Sequence, residues 1–582
     1  MMGLLIKYSE FYGKNIPQNP INLIKCIPKE ELLATIASIN NRLKPVHSSH
    51  IDDSRDTQID CLRTVFLDNK NSPSQSNCKS FVYKFIDSPR NYTLFTRVTC
   101  LYAFQEIIAS DGFVEETPEY TIEIRENILK FLLIVNENIL IFNNEYSDKD
   151  REELGDKFFE YFMFKELPHN QYYVSFNSIN VFYKSWILFK LLNNDSNFGN
   201  HLKIYLKQTF DVDEMSDFFK KQMYSYFQSH DDNLKMQYLN VKKTNIEVIK
   251  ILDKFSERNN FPLSEKDDLK IFEFLDLKKS PLYKNEGNDG KDIITYLVLD
   301  NTLFIEKTYS LFINDFWFDY LKPNNICNRN DWGNFIGTVF FEPFLENIFS
   351  NAFQNNRRTV YRSTDDLKFK LNQQNEIEYA DFYIREKGKI ILAEAKSNYL
   401  PLINGYKTVK TIDDYKALDL TKFYKDYGLT QLANKTIKEF HKYKFHINDK
   451  DFSFKRKVKL HPMLIVNDPI FSSGFASFAF KRKFTELLKS ENIEIENEQQ
   501  IIFPLTIINV SELQELEQSL QDADENIFNI IRYYNSITNV NRIPKEGSFI
   551  VLKTIEHAIN KRIKSKLIAN RIKKLTWLED AN

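Results

Sequence analysis

Between Glu376 and Ser397 the chain reads EIEYADFYIREKGKIILAEAKS, and this stretch constrains the fold more than any other. Aromatic and β-branched residues fill Glu376 to Arg385 and again Lys389 to Ala395, with Lys387-Gly388 between them as a tight turn, the pattern of a β-hairpin. If Glu386 pairs with Lys389, then Asp381 lies opposite Glu394, Phe382 opposite Ala393 and Ile384 opposite Ile391. Side chains alternate along a strand. Ala380, Phe382, Ile384, Ile391, Ala393 and Ala395 therefore make one apolar face, while Asp381, Glu394 and Lys396 share the other.

Opposed carboxylates are costly. With Cβ atoms about 5 Å apart, their repulsion at an effective dielectric of about 20 is roughly 3 kcal/mol, less if water reaches the pair. Such a pair persists when one member is protonated or a cation lies between them. Oxygen ligands of this kind suit Mg²⁺ or Mn²⁺. With Lys396 alongside, the set is equipped to handle phosphate oxygens and an attacking water. The plainer alternative is a solvated hairpin edge, against which stands the apolar run of KIILAEAK that carries Glu394.

Asp381 followed by Glu394-Ala395-Lys396 on the next strand resembles the PD-(D/E)XK signature of the nuclease superfamily with the restriction-endonuclease-like fold; Ala380 stands where that signature carries proline. The upstream helix-like stretch GTVFFEPFLENIF offers Glu342 and Glu346, similar to the acidic residue on the first core helix. Downstream, LTQLANKTIKEF offers Gln431 and Lys435, and VKLHPMLIVND follows as a fourth core strand would. The resemblance spans residues 330 to 470. It implies an α/β nuclease core, a mixed central sheet flanked by helices, behind a large mostly α-helical N-terminal region. It also implies a Mg²⁺-dependent (or Mn²⁺-dependent) DNA endonuclease with a cytoplasmic role in bacterial anti-phage defence or restriction. Asp381, Glu394, the Ala395 carbonyl and Glu342 would hold the metal, Lys396 would act on the water and the developing charge, and Gln431 would assist. The reading from a different class is a non-catalytic nucleic-acid-binding or scaffolding protein that keeps the nuclease fold.

Glu342 and Glu346 sit one turn apart on a helix expected from about Asp331 to Phe353, where Ile336, Phe340, Phe344 and Ile348 form a buried stripe. Pro343 should kink that helix or start a new first turn. Glu342, directly after the apolar GTVFF run, is the favoured acid. Gly428 should break the helical stretch Tyr415 to Phe445. Thr430 is the expected cap of its second part, with Gln431 and Lys435 on one side and Lys435 available to a DNA phosphate.

At 582 residues the chain is long enough for several domains, and its charged fraction of 27% beside 42% hydrophobic residues describes a globular protein. A net charge of −2 gives no global attraction to nucleic acid, so that partner must be met by local patches. KRKVK (455–459) and KRK (481–483) flank the fourth strand, and KRIKSKLIANRIKK (561–574) presents Lys561, Arg562, Lys564, Lys566 and Arg571 for phosphates. Five scattered cysteines make no disulfide or zinc framework and suit a reducing cytoplasm. The window ILKFLLIVNENILIF is too short and polar to span a bilayer, and no membrane partner is expected. GNDGK (287–291) lacks the spacing of a phosphate loop and reads as a turn.

In chain order, residues 1–255 read as a mainly helical domain, including NLKMQYLNVKKTNIEVIKILDKF, and would serve as a sensor or specificity module contacting a partner protein or a second copy of the chain. Residues 256–330 read as a junction in which SPLYK pairs with IITYLVLD and Asn301 caps a long amphipathic helix. Residues 331–520 form the nuclease domain, with IIFPLTIINV as another strand and Ser511 capping SELQELEQSL; 521–582 form a basic helical extension.

Overall fold

The computed structural model describes residues 4–43, 54–68, 77–86, 92–116, 119, 121–139, 152–158, 160–161, 163–164, 177–229, 237–257, 274–285, 292–353, 356, 358–370, 376–398, 412–450, 452, 456–538 and 554–563. They form a mixed α/β protein of two compact units, one made of Met1–Glu153 with Tyr172–Ile326, the other of Leu154–Gln171 with Cys327–Asn582. Among the described residues no helix is long and apolar enough to cross a membrane.

The first unit is built of helices, among them Lys29–Leu43, Arg97–Ala109, Ile122–Ile139, Ser178–Asn194, Gly199–Phe210 and Met215–Gln228. It also holds an antiparallel sheet. Leu282–Asn285 pairs with Ile293–Val298, as SPLYK and IITYLVLD predict, and Tyr238–Lys242 adds the third strand. The helix expected across Tyr238–Lys242 is therefore corrected. Leu239 and Val241 are buried while Asn240 and Lys242 are exposed, a two-residue period that a helix cannot satisfy. The long amphipathic helix after it is corrected too: it is divided into Asn301–Glu306, Ser310–Asp315 and a π-helical turn, Phe316–Leu321. Its cap is Asp300, which accepts from the Leu303 N–H at 2.8 Å; Asn301 is the first helical residue and donates to Asn41 instead. Asp300 also accepts two bonds from buried Arg97, both at 2.8 Å, and a third from Asn40 at 2.9 Å.

The second unit is organised by a six-stranded mixed sheet. Across it run Gln500–Ile502, Val458–Val466, Lys389–Lys396, Phe382–Glu386 and Thr359–Arg362, and Thr506–Asn509 also pairs with Val458–Val466. Lys389–Lys396 is parallel to Val458–Val466 over its full length and antiparallel to Phe382–Glu386. Covered on both faces, its residues from Ile390 to Ala395 are all buried, as expected of a strand central to a parallel region. Pro462 has no N–H to give. It lies where one edge partner has ended at Leu460↔Ile502 and the next begins at Met463↔Thr506. Pro504 has the matching effect, so IIFPLTIINV forms two short strands rather than the single one its composition suggests. The following helix, Val510–Gln521, is capped by Asn509, not Ser511: Asn509 accepts from Ser511 and Glu512 while Glu512 accepts from the Asn509 N–H.

Upstream, the helix runs from Arg329 through Phe353 in three parts, Arg329–Asn334, a π-helical stretch Phe335–Phe341, and Glu342–Phe353. The interruption expected of Pro343 thus takes the form of a widened turn immediately before it. Phe349 of this helix packs on Phe382 of the hairpin at 5.1 Å between centroids. The segment around Glu160 belongs with this unit rather than with the N-terminal helices. Phe164 meets Phe423 at 4.8 Å, and Tyr415 and Tyr424 both donate to the Glu160 carboxylate.

Candidate metal and phosphate site

The hairpin turns at Lys387-Gly388, with Lys387 taking the positive φ of +54° and Glu386 paired to Lys389. The ladder closes at Phe382↔Ala393, and Asp381 follows just beyond its end. The Asp381 N–H donates to the Ala393 carbonyl at 3.2 Å, and its Oδ2 accepts from the Ala395 N–H at 2.6 Å. Main-chain atoms on either side of Glu394 therefore clamp Asp381 against it.

Glu394 is completely buried. Its Oε1 accepts from Thr436 Oγ1 at 2.6 Å, whereas its Oε2, also buried, has no hydrogen-bond partner among the described residues. Lys396 Nζ stands 3.9 Å from that oxygen, near enough for attraction and too far for a hydrogen bond, and donates to Gln431 Oε1 at 3.3 Å. Burial, with the Asp381 charge beside it, pushes Glu394 well above the usual carboxylate range against the pull of Lys396, Thr436 and Lys435. Burial likewise raises Asp381, opposed by Lys396, the Ala395 N–H and Lys435.

Glu342 opens the third part of the long helix and joins the same electrostatic group. Burial first, then the charges of Asp381 and Glu378, push it up to about 7, with Lys396 and Lys368 pulling the other way. Glu346, one turn on, acts on the Tyr361 hydroxyl instead. The helix reaches the end of the central strand through Gly337, where an added Cβ would come within 3.0 Å of Ser397 Oγ.

The helix opposite starts at Leu429, directly after Gly428 in the left-handed conformation at φ +72°; Thr430 caps nothing. A Cβ on Gly428 would sit 2.3 Å from Lys396 Cε, so both backbone and space demand glycine there. From Leu432 to Ile437 this helix is π-helical. Sequence reasoning singled out Gln431 and Lys435 but missed Thr436, whose neighbour Tyr379 donates from its hydroxyl to the Thr436 carbonyl at 2.5 Å. Only a helix known to be widened would bring a residue five after Gln431 to the same face.

Asp381, Glu394, Ala395, Lys396, Glu342, Gln431 and Lys435 are thus gathered by four elements of one unit. Of the proposed phosphate contacts at the C-terminus, only the Arg562 side chain is described. Arg562 is paired with Glu525, its Nε 2.7 Å from Oε2. Lys561 lies in the helix Ile555–Arg562, and Lys564, Lys566 and Arg571 lie outside the described residues. In the KRK cluster Arg482 and Lys483 stay partly exposed beside Glu486, but the first lysine does not. Lys481 is buried, with Nζ 3.7 Å from the centre of the Tyr534 ring and 2.7 Å from Thr538 Oγ1, and burial lowers it to about 7.

Among the described residues no three His, Cys, Asp or Glu side chains form a ready-made ligand group. A cation here would be held by two carboxylates and a main-chain oxygen and completed by water, a mode suited to Mg²⁺. A buried Glu394 Oε2 with no partner among the described residues, in a group on which the buried Asp381 charge acts, fits that requirement, since a cation would satisfy it. No protein-family model matches the chain, and neither does any curated protein or solved structure.

Proposed function

We propose that the second unit is the catalytic part of a divalent-metal-dependent nuclease that hydrolyses phosphodiester bonds, with DNA the favoured substrate. The single observation that carries the reading is the buried Glu394: one oxygen is held by Thr436, and the other, 3.9 Å from Lys396 Nζ, has no hydrogen-bond partner among the described residues, with the Asp381 charge acting on the same group. A merely structural carboxylate in that position would be destabilising without compensation. The resemblance of Asp381, Glu394 and Lys396 to the nuclease signature supplies the substrate class.

Asp381 and Glu394 would bind Mg²⁺ or Mn²⁺, with the Ala395 carbonyl beside them and Glu342 joining directly or through water. Such an ion supplies Lewis-acid polarisation of a phosphoryl oxygen and a more acidic water. Lys396, tethered by Gln431, aims an ammonium at the charge that develops on the phosphoryl oxygens and orients the attacking water. Lys435, whose charge reaches both carboxylates, steers the phosphate backbone toward them. Ionised carboxylates are needed to hold the ion, so raised carboxyl groups make binding weaken as pH falls.

The test is cleavage of supercoiled plasmid with and without Mg²⁺ by the full chain, Asp381→Ala and Lys396→Ala. Cation-dependent nicking by the unaltered protein alone is expected. Equal activity in all three removes the assignments. Salt-sensitive DNA binding with no cutting would move the protein to the non-catalytic class.

A further inference from the structure

We infer that Thr436 is a positioning residue for the cation site: its hydroxyl fixes one oxygen of Glu394 so that the other stays beside Lys396, open to a cation. The inference rests on the nuclease reading of the site and adds a residue to it. Glu394 and Lys396 are two apart on one strand, so their side chains leave the same face about 7 Å apart. A helix crossing that face must deliver two separate polar groups to hold both. Gln431 and Thr436 do this, Gln431 Oε1 to Lys396 Nζ at 3.3 Å and Thr436 Oγ1 to Glu394 Oε1 at 2.6 Å.

Residues five apart diverge by over a third of a turn on an ordinary α-helix, where 3.6 residues complete a turn. They come into line on a π-helical turn, and the stretch Leu432–Ile437 supplies it. Thr436 is itself fully buried, and Tyr379 anchors its carbonyl. The Thr436 hydroxyl lies far closer to Oε1, at 2.6 Å, than to the Tyr379 carbonyl, at 3.5 Å, so it holds that oxygen of Glu394 and leaves the other for a ligand. Polar groups that orient ligand side chains in this way typically account for ~10–100-fold in metal affinity.

The experiment compares the full chain with Thr436→Val, which keeps the shape and removes the hydroxyl, and with Thr436→Ser, which restores it. Mn²⁺ is titrated calorimetrically without DNA. Cleavage is followed separately to divide kcat from KM, and circular dichroism establishes that each variant is folded. Thr436→Val should bind Mn²⁺ ~10–100-fold more weakly, with kcat reduced and KM for DNA held, and Thr436→Ser should return most of the affinity. A folded Thr436→Val with the unaltered affinity overturns the inference, as does a folded Thr436→Ser no better than valine. If the unaltered chain binds Mn²⁺ nowhere and cuts no DNA, the nuclease reading itself falls, a result distinct from either.

Discussion

Each unit buries a carboxylate, and the two are treated in opposite ways. Asp300 in the first unit is enclosed, yet every demand is met: two bonds from Arg97, one from Asn40 and one from the Leu303 N–H. Burial alone would raise it, but the Arg97 charge and these bonds hold it below the ordinary range. Glu394 in the second unit is just as deeply buried and receives one neutral hydroxyl, a second carboxylate and a lysine beyond hydrogen-bond reach. Chains place a satisfied buried acid where it holds helices together. An unsatisfied one calls for another explanation, and on the proposed reading that is a bound cation.

The largest expected difference between the two is in stability. Arg97→Met strands Asp300 and should cost about 3–5 kcal/mol, measured as a shift in the urea midpoint of the full chain. Glu394→Gln removes a destabilising charge and should leave the midpoint unchanged or raise it at pH 8. If both variants destabilise alike, the contrast is broken.

The second effect is on chemistry. Cleavage should fall by roughly 10²–10³-fold in Lys396→Ala, on the scale of losing one group that stabilises transition-state charge. Arg97→Met, assayed where it is folded, should keep cutting.

pH sharpens the comparison through its sign. Asp381, Glu394 and Glu342 are raised in the folded protein, so the native site keeps protons that the unfolded chain has released. Stability from these groups is complete below the ordinary carboxylate range, near 4. It declines as pH rises through about 7 for Glu342 and further for Glu394. Asp300 runs the other way, its contribution present at neutral pH and lost on acidification through its lowered value. Melts of Glu394→Gln against the unaltered chain should converge at pH 5 and separate by pH 8, and added Mg²⁺ should close the gap at pH 8. Curves that stay parallel would contradict the assignment.

A smaller loss of stability than that of Arg97→Met is expected of Gly428→Ala, where the positive φ alone costs on the order of 1 kcal/mol. The same methyl would strike Lys396, so loss of cutting should exceed what that melt explains.

Much of this was legible in the sequence because it depends on local rules. The hairpin register from Glu386↔Lys389 to Phe382↔Ala393 followed from one turn and a two-residue period, and just past it Asp381 accepts from the Ala395 N–H, next to Glu394 in sequence. Glu342 stood out because it directly follows the apolar GTVFF run. What escaped depends on geometry that periodicity assumes away. Thr436 reaches the site through a π-helical turn, and nothing in LANKTI announces an extra residue per turn. Tyr238–Lys242 read as helix because polar residues at Asn240 and Lys242 also fit a helical surface, and only pairing with Ile293–Val298 decides between them. Lys481 read as a surface cation because a sequence cannot show Tyr534 waiting beneath it.

The most direct test is a calorimetric titration of Mn²⁺ into the unaltered chain and into Glu394→Gln, both folded, without nucleic acid. Saturable binding in the first that is lost in the second is the predicted result. Identical isotherms, or none in either, would mean that the unpaired oxygen of Glu394 is not there for a cation.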